Sequence, residues 1–179
     1  MSRQPLLHLL KSYAGKYPAE ANTISQLISF VEENKDCFEC ALLKGHVTAS
    51  AWVINHDRSA VLLIHHLKLD KWLQPGGHCD GDPDTLHVAQ KECFEETGLE
   101  TKPVSAEVFD IDIHDIPERK GIPAHIHYDV RYLLQALPGA EITASETETN
   151  HVLWIPVSDI TRYTTEASIL RMQAKVSIY

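Results

Sequence analysis

The stretch from Gln74 to Leu99 constrains this chain more than any other. It opens Gln74-Pro75-Gly76-Gly77-His78-Cys79-Asp80-Gly81-Asp82-Pro83-Asp84 and closes Lys91-Glu92-Cys93-Phe94-Glu95-Glu96-Thr97-Gly98-Leu99. The pattern reads as a glycine-rich loop that feeds a short helix. Asp82 suits the N-cap and Pro83 the first helical position, where a missing N–H costs nothing. Gly98 suits a left-handed stop. At about 100° per residue, Glu92, Glu95 and Glu96 fall within about 100° of one face, and Leu86, Ala89 and Cys93 form an apolar stripe.

Three like charges on one helix face repel, and Glu95 and Glu96 also sit near the C-terminus, where the macrodipole disfavours them. A hard divalent cation with oxygen ligands, such as Mg²⁺, is the simplest compensation. A merely solvated acidic face is the plainer reading. It leaves the offsets of the glycines and of the helix stop unexplained.

With 179 residues, the chain is long enough for one domain with a real core. No apolar run is long enough to span a bilayer and the N-terminus lacks a signal-peptide pattern, so no membrane partner and a cytoplasmic location are expected. The formal net charge of −9 argues against a nucleic-acid polymer as partner. It would also repel a phosphorylated substrate unless a local cation intervenes. Cys37-Phe38-Glu39-Cys40 has zinc-ligand spacing but no second pair follows, so ordinary reduced thiols are expected.

Residues 5 to 14 and 19 to 34 read as helices, the second with Ile24, Leu27, Ile28 and Val31 on one face. That face is expected to cover the chain's own core; a homodimer surface is the alternative. Residues 1–40 are therefore expected to form a helical extension packed on a domain of residues 41–179. Val47, Ala49, Ala51 and Val53 alternate toward a turn at Asn55-His56-Asp57, and Ala60 to Ile64 completes a hairpin. Residues 104 to 116 and 125 to 134 are strand-like. In the latter, period two places His125, His127, Asp129 and Arg131 on one face. Such a face is solvated, lines a substrate pocket, or holds a second metal through His125, His127 and Asp129. The last reading gains weight if His114 lies on the partner strand. A last strand, His151 to Pro156, precedes a helix carrying Ile169, Met172 and Val176, capped by Asp159 or by Thr164-Thr165.

The Gly76–Leu99 stretch resembles the Nudix box, G-x5-E-x7-R-E-U-x-E-E-x-G-U. Glu92, Glu95, Glu96, Gly98 and Leu99 match, and Cys93 takes an apolar slot. Lys91 stands where the box has arginine, and Pro83 where it has its first glutamate, with Asp82 or Asp84 as neighbouring carboxylates. The resemblance implies an α/β fold, a Nudix-type α/β/α sandwich with a mixed sheet, here with the N-terminal helical extension. It implies a Mg²⁺- or Mn²⁺-dependent hydrolase of diphosphate bonds in a nucleoside diphosphate linked to another group, with a small, nucleotide-like partner. Gly76, Glu92, Glu95 and Glu96 would hold the metal. Glu146 or Glu148 would supply the base, with Glu92 in reserve; Gly77 and, from the strand pattern rather than the resemblance, His125, His127, Asp129 and Arg131 are the candidate substrate contacts. Two rivals share the fold. One is an isomerase of the isopentenyl-diphosphate type, which carries a reactive cysteine and a degraded box; the other is a non-catalytic nucleotide- or partner-binding module.

Overall fold

The strand Gly45–Ile54, β1, is buried at all ten of its positions. The expected apolar face of Val47, Ala49, Ala51 and Val53 is there, but Thr48, Ser50 and Trp52 behind it are buried too. A strand covered on both faces belongs in the interior of a sheet, so its polar side chains must find partners. The computed structural model describes residues 2–66, 70–119, 121–143 and 149–176. The chain divides into two compact units: Met1–Ala49, Gly77–Ala89 and Ala106–Tyr132 in one, Ser50–Gly76, Gln90–Ser105 and Leu133–Tyr179 in the other.

In the first unit, α1 (Gln4–Lys16) and α2 (Ala21–Glu33) are joined by a 3-10 turn at Pro18–Glu20. They bury Leu6, Leu7, Leu10 and Tyr13, and Ile24, Leu27, Phe30 and Val31. Arg3 Nη1 donates to the carbonyls of Val31 and Glu32 at 2.8 Å each, satisfying acceptors that the end of α2 leaves open. Phe30 stacks on Tyr128 with ring centroids 3.8 Å apart, so α2 packs on the chain's own strand. That strand, β7 (His125–Ala136), neighbours β1 and pairs antiparallel with β6 (Asp110–Ile116), from Asp110↔Arg131 to Ile116↔His125.

In the second unit, β2 (Ala60–His66) forms the expected hairpin with β1, Val53 opposite Leu62. It also pairs with β3 (Lys71–Leu73) and β8 (Thr149–Pro156). The expected strand over 104–116 starts only at Asp110; a short β5 (Thr101–Pro103) takes the earlier pairing with β7. The C-terminal helix α4 (Ala167–Val176) follows a 3-10 turn at Val157–Arg162. Thr164 Oγ1 accepts from Glu166 N–H just ahead of α4, whereas Asp159 pairs with Arg162, so Asp159 does not cap this helix. Its buried face is Ile169, Met172 and the stem of Lys175. The elements together make an α/β fold around a mixed sheet.

Candidate functional site

The acidic helix α3 runs Thr85–Thr97, beginning at Thr85 rather than Pro83. Asp84 is the cap: its Oδ1 accepts the His87 N–H at 3.0 Å. Asp82 braces the turn before it, with Oδ1 accepting the Asp84 N–H at 2.9 Å and Oδ2 lying 2.8 Å from His87 Nδ1. Both carboxylates flanking Pro83 therefore organise the helix start. The buried stripe is Thr85, Val88, Ala89, Cys93 and Thr97; Leu86, expected in it, is only half-buried. Gly98 ends the helix at φ 68°, its N–H on the Phe94 carbonyl at 2.7 Å.

The glycine pair is not a loop but a short strand, β4 (Gly76–His78), paired with β1. The Gly76 N–H donates to Glu96 Oε2 at 2.9 Å, which brings Gly76 onto the helix of carboxylates. Lys91 Nζ lies 3.3 Å from Glu92 Oε1 and 3.6 Å from Glu95 Oε2, bridging these two. The Glu92 carboxylate, and then Glu95, raise the Lys91 pKa above its ordinary value. The lysine thus does as a point charge what a forked guanidinium would do with fixed geometry. Glu92 is well covered, its side chain 16% exposed, while that of Glu95 is 55% exposed. Gly76, Glu92, Glu95 and Glu96 offer only hard oxygen donors, the set that suits Mg²⁺ or Mn²⁺. Glu146 and Glu148 lie outside the described residues.

The polar face of β7 divides in two. Arg131, 2% exposed, has Nε 2.7 Å from Asp129 Oδ2, Nη1 3.2 Å from Asp110 Oδ2 and Nη2 3.3 Å from Asp112 Oδ2. Thr48 on β1 donates to Asp129 Oδ1 at 3.0 Å. Burial alone would lower the arginine pKa, but the three aspartates outweigh it and raise the pKa. At Asp129 and Arg131 the face is a buried ion network, satisfied across strands.

The other half is imidazole. His127 faces His114 across the β6–β7 register, and His46 from β1 and His78 from β4 close round it, with ring centroids 4.8–5.5 Å from its own. His127 is held neutral down to about pH 2 and His46 to about pH 4, by burial first and by neighbouring imidazoles second. His78 shifts down for the same leading reason. The sequence reading named His125, His127 and His114 but missed His46 and His78. The available signal was the second polar file on β1, His46-x-Thr48-x-Ser50, matching His127-x-Asp129-x-Arg131 on β7.

Fold and site together define an α/β protein built round an acidic helix. A family model for the NUDIX domain matches residues 44–173, and the chain belongs to that family. It is a Nudix hydrolase, an enzyme of the class that cleaves pyrophosphate bonds. An Ap4A hydrolase from C. elegans, solved as a binary complex, is 17% identical with TM-score 0.59, covering 74% of this chain and 95% of that one. A MutT protein from Methanosarcina mazei Go1 is 17% identical with TM-score 0.60, covering 75% and 94%. A NUDIX-family hydrolase from Clostridium perfringens is 20% identical with TM-score 0.56, covering 74% and 97%. At such identities the likeness is one of fold. No curated protein sequence matches the chain.

Proposed function

We propose that the chain hydrolyses a diphosphate bond in a nucleoside diphosphate linked to a second group, with Mg²⁺ or Mn²⁺ held by Gly76, Glu92, Glu95 and Glu96. The observation that carries this reading is the 2.9 Å hydrogen bond from Gly76 N–H to Glu96, which anchors the glycine strand on the acidic helix. When bound, the cation neutralises phosphate oxygens and lowers the pKa of a water. The chain's own part is positional. Lys91 keeps Glu92 and Glu95 apart from mutual repulsion, and Gly77, next to Gly76 in β4, gives the substrate a surface without a side chain.

A carboxylate, Glu146 or Glu148 with Glu92 as the alternative, takes a proton from water. The water oxygen bonds to phosphorus as the bridging P–O bond breaks, releasing two phosphorylated products. His125 and His127 stay in reach of a ligand, whereas the burial of Asp129 and Arg131 gives those two a structural task. Residues 1–40 serve as an extension that covers the domain of residues 41–179. Among the described residues no helix is long and apolar enough to cross a membrane. The proposal places the enzyme in the cytoplasm, acting on a small molecule; a homodimer is left to a sizing measurement. Against the isomerase rival stands Cys79: it is 3% exposed, and burial pushes its thiol well above the usual range, the reverse of a reactive cysteine.

The test is phosphate release, after phosphatase coupling, from nucleoside triphosphates, nucleotide sugars, ADP-ribose, dinucleotides and coenzyme A with Mg²⁺ or Mn²⁺. Release from one class, abolished in the Glu95→Gln/Glu96→Gln variant, supports the proposal. Silence across the panel from folded protein overturns it, and proton exchange into an isoprenoid diphosphate would then point to the isomerase.

A further inference from the structure

His46, His125 and His127 each bring one ring nitrogen into a single cluster, all within 4.8 Å of one another. His127 Nε2 lies 3.1 Å from His46 Nε2 and 3.3 Å from His125 Nε2. With metal–nitrogen bonds of about 2.0–2.1 Å, neighbouring ligands of a tetrahedral ion stand about 3.3–3.4 Å apart. Two of the three spacings already fit, and the third lies within 4.8 Å.

Hydrogen bonding alone accounts poorly for this arrangement. His125 Nδ1 is 2.8 Å from the Pro123 carbonyl, which can only accept, so Nδ1 carries the proton and a neutral His125 presents a bare lone pair at Nε2. His127 Nε2 has a single in-plane site, either a proton or a lone pair, yet it meets two nitrogens. One proton cannot make two linear bonds. His78 and His114 pack alongside His127, so the cluster is ringed by further imidazoles. A cation at the focus satisfies all three lone pairs together. The Pro123 contact then does what an outer-shell acceptor does for a ligating histidine: it fixes the tautomer and aims the ring.

We propose that His46, His125 and His127 form a nitrogen-donor site for one borderline divalent transition ion of the Zn²⁺ type, its fourth position open to water or an incoming ligand. Imidazole donors favour Zn²⁺, Co²⁺ or Ni²⁺ over Mg²⁺, the opposite preference to the oxygen set on α3. The two sites stand or fall separately, because this one is built from β1 and β7 and needs no carboxylate.

The test uses the full chain, stripped with a chelator and titrated with Co²⁺, whose visible absorption reports nitrogen ligation. One equivalent of Co²⁺ should give a visible band that Zn²⁺ abolishes and excess Mg²⁺ leaves alone. His125 is half-buried, so His125→Ala should keep the circular dichroism of the stripped parent while weakening Co²⁺ binding at least about tenfold. His127→Ala should do the same where it folds. Glu95→Gln/Glu96→Gln and Cys40→Ser should leave the band unchanged. No band in the parent, a band that survives His125→Ala, or one lost in Cys40→Ser overturns the proposal.

Discussion

Replacing Arg131 by methionine should be among the most damaging single changes in the chain. The substitution roughly conserves length and is apolar, so it leaves little cavity. What it leaves is Asp110, 0% exposed, and Asp129, 4% exposed, without the cation that faces both at 3.2 and 2.7 Å. Breaking a buried ion pair by removing one partner costs about 3–5 kcal/mol, because the remaining charge has neither water nor a counter-ion. With a urea m-value of about 2 kcal/mol per molar, that loss lowers the denaturation midpoint by roughly 1.5–2.5 M. Adding Asp129→Asn to Arg131→Met should recover part of the loss, since it removes one of the stranded charges and keeps an acceptor for the Thr48 hydroxyl. Equilibrium urea unfolding followed by circular dichroism gives both numbers. A midpoint within about 0.5 M of the parent at equal m-value would show that Arg131 does not tie the strands, and would return it to the list of substrate cations.

Three further outcomes follow from the same structure. Gly98→Ala puts a Cβ at φ 68° and into the Thr143 side chain, and should cost roughly 1–3 kcal/mol, read as a lowered Tm. Of the four cysteines, Cys40 alone is exposed, so one thiol per chain should react with a disulfide reagent in the native state and four after denaturation. Burial raises the pKa of Cys37 to about 11 and that of Cys93 to about 12, from the ordinary thiol value of 9.0. The folded state therefore keeps protons that the unfolded chain releases, and the stability these thiols contribute is full below pH 9 and lost as pH rises toward 11–12. A urea midpoint that stays flat from pH 8 to 11 would contradict that sign.

The acidic helix was readable because its evidence is local: charge spacing, a glycine stop and a Pro-flanked start all fall within one short stretch. Only its first turn was misplaced, since two aspartates flank Pro83 and either could cap; the structure uses Asp84. The β7 face was readable as a face but not in depth. Period two tells which side a residue takes, and says nothing about what covers it. Asp129 and Arg131 are buried because β1 and β6 bring Thr48 and Asp110 to them, contacts 81 and 21 residues away in sequence. His46 was missed for the same reason, its partner His127 also lying 81 positions on. Long-range pairing, rather than local pattern, decides these sites.

Metal-dependent hydrolysis is proposed to rest on the carboxylates of α3. Glu96→Gln tests it most directly, because a glutamine carbonyl can still accept the Gly76 N–H at 2.9 Å while the charge is gone. On the diphosphate compound that the parent turns over with Mg²⁺, kcat in Glu96→Gln should fall by roughly 10²–10³-fold, with folding and Tm retained. Full metal-dependent turnover by Glu96→Gln would contradict the account.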